Sequence, residues 1–131
     1  MFDTMTLPET PTAMAPDGSE VRALLALKGG SMAHFSLPSG QTSIAVAHRT
    51  VEEIWLFLTG SGEMWLKYED REEIVPVRKG VCLTIPLDTH FQFRSTGDEP
   101  LSAVGMTMPP WPGPDEAFAV EGKWPATIGD D

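Results

Sequence analysis

Short apolar runs, separated by turn residues at regular spacing, constrain this chain most. From residue 20 onward, runs of four to eight residues rich in Val, Ile, Phe, Trp and Thr are divided by turn residues. The runs cover residues 21–27, 31–37, 41–48, 53–58, 63–68, 72–77, 81–85, 90–94 and 101–108. Residues 21–28 also have a weak helical pattern, but the surrounding runs favour a strand. The sequence therefore predicts an all-β sandwich or barrel of about nine strands.

Length and charge exclude several classes of protein. The chain has 131 residues, which predicts one domain. Nine Lys and Arg residues stand against 19 Asp and Glu residues, so the formal net charge is -10 and a nucleic-acid partner is not expected. No apolar run near the start has the length of a signal peptide or membrane span. The single cysteine, Cys82, lies in an apolar run, so we expect its side chain in the core. Because one cysteine cannot form a disulfide within the chain, we expect the protein in the reducing cytoplasm.

The chain divides into three segments by composition. Residues 1–19 contain three prolines and predict an extended N-terminal arm. Residues 20–108 hold the strand-like runs and predict the barrel. Residues 109–131 are rich in proline and predict a coil, in which Trp111 and Trp124 indicate packing across the barrel mouth or a partner subunit, or a lid over the pocket.

Two histidines and a carboxylate lie in separate predicted strands that are bracketed by glycine turns. Residues 40–60 carry His48 and Glu53 between two glycines, and residues 80–90 carry His90 after a third. This is the arrangement with which a small barrel gathers metal ligands in its lumen.

The first stretch resembles the first signature motif of the cupin superfamily. In that motif a glycine is followed after five residues by His-x-His, then after three or four residues by Glu, and after six more by Gly. Gly40, His48, Glu53 and Gly60 match the motif, and Val46 stands at the position of the first histidine.

The second stretch resembles the second cupin motif. In that motif a glycine is followed after five residues by Pro-x-Gly, then after two residues by His, and after three more by Asn. Gly80, Pro86 and His90 match it with one residue missing before the histidine. In this alignment Asp88 lies near the position of the motif's second glycine, and Arg94 occupies the position of the motif's asparagine.

The resemblance covers roughly residues 20–106 and implies a double-stranded β-helix, or jelly-roll barrel, with its site in the lumen. Side chains alternate between the two faces of a strand, so Glu53, Trp55 and Phe57 share one face, which is the lumen face by analogy with the family. The predicted polar lumen residues are His48, Glu53, His90, Gln92 and Arg94, and the predicted pocket wall includes Val46, Trp55 and Phe57.

Two imidazoles and one carboxylate suit Fe(II), Mn, Ni or Zn and leave coordination positions open. With the resemblance, this predicts a divalent-metal-dependent enzyme, of the dioxygenase or isomerase type, that acts on a small polar metabolite. Gln92 or Arg94 then orients the substrate. Three alternatives stay open at this point. In the first, the same residues form a metal-free binding site for a carboxylate or sugar acid. In the second, they are only hydrogen-bonded residues of the lumen. In the third, which concerns Arg94 alone, the guanidinium forms a structural salt bridge.

A homodimer is also expected. The strand face of Phe91 and Phe93, the strand face of Ile54, Leu56 and Leu58, and the tryptophan-bearing coil together offer more apolar surface than one thin sandwich covers.

Overall fold

The computed structural model describes residues 2–128, which form eleven β-strands. The all-β prediction is confirmed. The strands are β1 (Ala13–Met14), β2 (Glu20–Leu27), β3 (Gly30–Leu37), β4 (Val46–His48), β5 (Glu52–Thr59), β6 (Ser61–Tyr68), β7 (Arg71–Arg78), β8 (Cys82–Ile85), β9 (His90–Ser95), β10 (Leu101–Met108) and β11 (Ala117–Ala119).

Two antiparallel sheets face each other. One contains six strands in the order β1-β2-β3-β10-β5-β8, and the other contains five in the order β11-β4-β9-β6-β7. Each of the nine predicted runs contains a strand, although β4 covers only the last three residues of its run. The short strands β1 and β11 were not predicted. They pair with β2 and β4, and so tie the segments before and after the barrel to the two sheets.

The core lies between the sheets and is dominated by aromatic side chains. Trp55, Phe57, Phe91 and Phe93 are each at most 2% exposed, and burial of such a side chain contributes roughly 1.5–3 kcal/mol. Phe91 and Phe93 therefore do not form the exposed face on which the dimer prediction partly rested. Their strand turns them inward, against Trp55.

The segment after β10 packs on both sides of the five-stranded sheet through its two tryptophans. Trp111 lies edge-on to His48 with ring centroids 5.2 Å apart. Trp124 lies on the other side of the five-stranded sheet, where its ring stacks under the guanidinium of Arg94 at 4.1 Å.

The N-terminal arm runs along the outer edge strand of the six-stranded sheet. Arg22 of β2 donates hydrogen bonds to the carbonyl oxygens of Pro8 and Glu9, at 2.8 and 3.1 Å. Cys82 is exposed and unpaired, so the core position predicted for it is wrong. Its strand β8 is the other edge of that sheet, and Cys82 pairs there with Leu56 on the outer face. The part of the chain that the structure describes contains no helix that could span a membrane.

Candidate functional site

A cavity of about 710 Å³ opens between the inner face of the six-stranded sheet, strand β4, residues 12–17 of the N-terminal arm and residues 110–117. Most of its lining is apolar, and no lysine or arginine of the described residues lines it. The aromatic and ionisable residues of the lining are Asp17, Phe35, His48, Glu53, Trp55, Phe91 and Trp111. The cavity therefore has aromatic walls and acidic or neutral polar groups only.

His48 and Glu53 form the central polar pair of this cavity. His48 ends β4 and Glu53 lies near the start of β5, so a short turn brings them together. His48 Nδ1 lies 3.4 Å from Glu53 Oε2, and the two residues are 6% and 3% exposed. Glu53 Oε1 accepts a hydrogen bond from the indole N–H of Trp55, two residues along the same strand face. His48, Glu53 and Trp55, which were expected to face the lumen, all line this cavity.

Burial sets the protonation of the pair. It raises the pKa of Glu53 to about 7, an effect that the hydrogen bond from Trp55 opposes and the charges of Asp17 and Glu116 reinforce. It lowers the pKa of His48 to about 4, with Glu116 acting in the opposite direction. At neutral pH the imidazole is therefore neutral and the carboxyl group lies near its titration midpoint. The pair carries at most one negative charge.

Glu116 fixes the turn between the two residues, and no pattern in the sequence indicated this role. Its carboxylate accepts hydrogen bonds from Thr50 N and Thr50 Oγ1, both at 2.6 Å, and from Val51 N at 2.8 Å. Burial alone raises the pKa of Glu116, but these hydrogen bonds and the nearby His48 outweigh it and lower the pKa. The charged form is thus favoured. The segment after β10 therefore determines where the polar pair lies.

Aromatic rings enclose the pair. Phe35 stacks on Trp55 with centroids 4.7 Å apart and an interplanar angle of 11°. Phe91 and Trp111 meet His48 edge-on, with centroids at 5.3 and 5.2 Å. The lining also includes Val46, one of the residues expected in the pocket wall.

Phe57 was predicted as part of the same wall, and the structure places it in the core next to Trp55, with centroids 5.9 Å apart. The stack of Phe35 on Trp55 depends on Gly105 of β10. A Cβ there meets both rings at 2.9 Å.

The predicted placement of His90, Gln92 and Arg94 in the lumen is wrong. Phe91 pairs in register with Val46 and lines the cavity. Since side chains alternate along β9, His90, Gln92 and Arg94 lie on the opposite, outer face of the five-stranded sheet.

Gln92 and Arg94 both contact the C-terminal segment on that outer face. Gln92 is 1% exposed, donates to the carbonyls of Ser43 and Trp124, both at 2.8 Å, and accepts from the N–H groups of Lys123 and Trp124 at 2.9 and 3.0 Å. Arg94 pairs with Glu63 through Nε and Nη2, at 2.8 and 2.5 Å. The structural salt bridge considered as an alternative for Arg94 is therefore present.

Comparison with known proteins agrees with this architecture. No protein-family model matches the chain. An uncharacterised protein from Methanocaldococcus jannaschii is 35% identical over 100 residues, which cover 72% of this chain and 77% of that protein. A solved structure with a double-stranded β-helix domain, from Klebsiella pneumoniae, superposes with a TM-score of 0.70 at 12% identity, over 93% of this chain and 100% of that chain. The chain belongs to one family with the archaeal protein, and its fold is the double-stranded β-helix of cupins.

A second solved structure shares the fold over part of a longer protein. The capsular polysaccharide assembling protein CapF from Staphylococcus aureus superposes with a TM-score of 0.70 at 18% identity, over 81% of this chain and 33% of CapF. This chain thus spans about a third of the length of CapF. At these identities the likeness establishes the double-stranded β-helix fold, as predicted.

In this chain the residues that resemble the second cupin motif are continuous and have Phe91 at the histidine position. Counted from Gly80 without a gap, Asp88 takes the position of the second glycine and Phe91 that of the histidine. Asp88 has a φ of 70°, a conformation that glycine adopts most readily. The one-residue gap that placed His90 at the histidine position of the motif is therefore wrong. That gap shifted the predicted register of β9 by one residue, and such a shift assigns every side chain of the strand to the other face.

The three-ligand metal centre predicted from the sequence does not fit this site. His48 and Glu53 carry donor atoms, whereas Val46 and Phe91 occupy the other two ligand positions of the motifs and carry none. Those two apolar residues face each other in register. Within residues 2–128, no group of three or more His, Cys, Asp or Glu side chains is placed to hold a metal ion.

Proposed function

We propose that this cupin is a metal-independent binding protein for a neutral, largely apolar small molecule, with the cavity beside His48 and Glu53 as its site. The observation that carries the proposal is the replacement of two motif ligands by Val46 and Phe91, which face each other across β4 and β9. This replacement leaves an aromatic cavity with one polar pair.

The size and walls of the cavity support a compact organic ligand. Small-molecule sites typically measure about 300–1,000 Å³ and combine apolar walls with a few polar groups, and the volume here is about 710 Å³. Phe35 and Trp111, which line the cavity and are only partly buried, offer aromatic surface to a planar ligand.

The electrostatics support a neutral ligand rather than the carboxylate or sugar acid considered from the sequence. A buried anion needs a cation or several hydrogen-bond donors, and the described lining contains Asp17 and Glu53 but no lysine or arginine. His48 and protonated Glu53 suit one hydroxyl, amide or carbonyl group of the ligand, because the pair offers both a donor and an acceptor.

The second candidate is the metal-dependent enzyme predicted from the sequence, with Fe, Mn, Ni or Zn and a dioxygenase or isomerase type of reaction. The observation that favours this candidate is that His48 and Glu53, two residues with metal-binding donor atoms, lie side by side in one cavity. It requires further ligands from the substrate or solvent. The cytoplasmic location and the absence of a nucleic-acid partner stay predictions of the sequence.

A matched pair of fluorescent probes tests the proposal. N-phenyl-1-naphthylamine is neutral, and 8-anilino-1-naphthalenesulfonate has the same ring skeleton with one added sulfonate. We expect saturable one-to-one binding of the neutral probe and at least about tenfold weaker binding of the sulfonate, a difference of roughly 1.4 kcal/mol. Binding by chelator-treated protein should equal binding by protein supplied with Zn²⁺ or Fe²⁺.

Two tryptophan variants locate the probe. Trp111→Ala removes a wall of the cavity, so it should weaken binding of the neutral probe, whereas Trp124→Ala on the opposite side of the five-stranded sheet should leave it unchanged. Equal effects of the two variants, or equal affinity for the two probes, overturn the proposal. Probe binding that appears only with a stoichiometric metal supports the second candidate instead.

A further inference from the structure

Asp17 is a further polar group in the wall of the cavity, in addition to the pair of His48 and Glu53. It lies in the N-terminal arm, just before β2, and is 5% exposed. A buried carboxyl group is costly unless hydrogen bonds or a cation compensate for the water it loses. The contacts of its two oxygens therefore show what the group can do.

The turn that carries Asp17 uses one of the two carboxyl oxygens. Gly18 N donates to the carbonyl oxygen of Ala15 at 2.9 Å and closes a β-turn. Pro16 is second in this turn and Gly18 is fourth, positions at which these residues are favoured. Asp17 Oδ1 accepts hydrogen bonds from Ser19 N at 2.9 Å and from Ser19 Oγ at 2.7 Å. Asparagine makes the same bond to the backbone two residues on, so the turn alone does not require a buried carboxyl group.

The other oxygen, Asp17 Oδ2, is open to the cavity. Among residues 2–128 it has no hydrogen-bond partner, because both bonds to this carboxyl group end on Oδ1. In the same part of the chain, the side-chain polar atoms that are enclosed without a partner are His34 Nδ1 and Thr89 Oγ1. Asp17 Oδ2 is not one of them, so it keeps accessible surface, and the space that Asp17 lines is the cavity. A ligand in the cavity can therefore reach Oδ2.

Asp17 lies within electrostatic reach of the polar pair. Burial raises the pKa of Glu53, and the charge of Asp17 adds to that rise. The main chain holds Asp17 in place, because Ile44 N, close to the start of β4, donates to the carbonyl oxygen of Asp17 at 2.8 Å. The cavity thus has two polar positions, one at His48 and Glu53 and one at Asp17.

We propose that Asp17 is a second anchor for the ligand and that its free oxygen pairs with a hydroxyl group, so that the cavity selects hydroxylated aromatic compounds of the phenol class. This inference rests on the binding function proposed above. The partly buried rings of Phe35 and Trp111 provide the aromatic wall for the ring of such a ligand.

The burial of Asp17 favours a hydroxyl group over an ammonium group as its partner. Burial raises the pKa of Asp17, although the hydrogen bonds from Ser19 oppose the rise. Because two donors occupy Oδ1, the proton of the neutral carboxyl group lies on Oδ2. A hydroxyl group accepts a hydrogen bond from protonated Oδ2 and donates one to the ionised form, whereas an ammonium group only donates.

Two naphthalenes of similar shape test the anchor. 2-Naphthol carries the hydroxyl group, and 2-methylnaphthalene has a methyl group in its place. Displacement of bound N-phenyl-1-naphthylamine measures both affinities. Asp17→Ala should weaken binding of 2-naphthol about fivefold to tenfold, and should change binding of 2-methylnaphthalene by less than about twofold. Asp70→Ala is the matched control, because Asp70 is exposed between β6 and β7, and it should change neither affinity.

Nuclear magnetic resonance of wild-type protein with isotope-labelled aspartate provides a second measurement that needs no folded variant. Saturating 2-naphthol should shift the carboxyl-carbon resonance of Asp17, and saturating 2-methylnaphthalene should shift it much less. Equal loss of both ligands in Asp17→Ala, or an equal response of the Asp17 resonance to both, overturns the anchor and leaves the cavity as a binding site. If wild type binds neither naphthalene nor the neutral probe, the proposed function itself is overturned, and the anchor with it.

Discussion

Replacing Gln92 by methionine separates its structural role from the catalytic role predicted by the sequence. The side chain is 1% exposed and makes four hydrogen bonds to backbone groups of residues 43, 123 and 124. Methionine has a similar length and keeps none of these bonds. At about 1 kcal/mol net for each hydrogen bond, and with water regaining some of the freed groups, we expect a loss of about 2–4 kcal/mol in the free energy of unfolding.

Urea unfolding followed by tryptophan fluorescence measures the loss. Gln41→Met is the matched control, because Gln41 is half-exposed and accepts one side-chain hydrogen bond, from Thr127 at 2.7 Å. It should cost less than about 1 kcal/mol. Binding of the neutral naphthylamine probe by folded Gln92→Met should stay within about twofold of wild type, since Gln92 faces away from the cavity. Equal stability of Gln92→Met and Gln41→Met refutes the structural role of Gln92. Loss of probe binding by Gln92→Met without loss of stability would instead support the catalytic role that the sequence predicted for Gln92.

Three further predictions concern the cavity. Burial raises the pKa of Glu53 to about 7 from 4.5, so the folded state retains a proton that the unfolded state loses, and the contribution of Glu53 to stability falls as pH rises from 4.5 to 7. Glu53→Gln should therefore gain stability relative to wild type over that range, by up to roughly 3 kcal/mol, in urea titrations at several pH values; a constant difference contradicts the shift. Gly105→Ala should cost about 1–3 kcal/mol in thermal unfolding and change the near-ultraviolet circular dichroism of Trp55, because its Cβ overlaps the ring; an unchanged spectrum argues against the stacking of Phe35 on Trp55. The double variant Val46→His with Phe91→His should bind Co²⁺ with visible absorption bands that wild type lacks, and absence of bands in the folded variant contradicts the assignment of the motif positions.

The fold was predictable because strand signals are local. Each run between turn residues shows its own alternation, and all nine runs contain a strand in the structure. The motif spacing also indicated that His48 and Glu53 lie close together, because a short turn joins β4 to β5 and fixes which of their residues face inward.

The orientation of β9 was predicted wrongly because alternation defines two faces without naming the inner one. The motif alignment favoured the face of His90, whereas Phe91 and Phe93 indicated the opposite, hydrophobic face, and burial of those rings decides the register. Contacts distant in sequence were not predictable. Glu116 caps a turn more than 60 residues away, and Trp111 reaches the cavity only because of the path the chain takes after β10.

The metal content of the purified protein tests the central claim most directly. Protein purified without chelator and dialysed against metal-free buffer should contain far less than one equivalent of Fe, Mn, Ni or Zn by plasma mass spectrometry, and should bind the neutral probe at one equivalent. His48→Ala should leave the metal content unchanged. Stoichiometric metal in wild type that His48→Ala removes would contradict the metal-independent site.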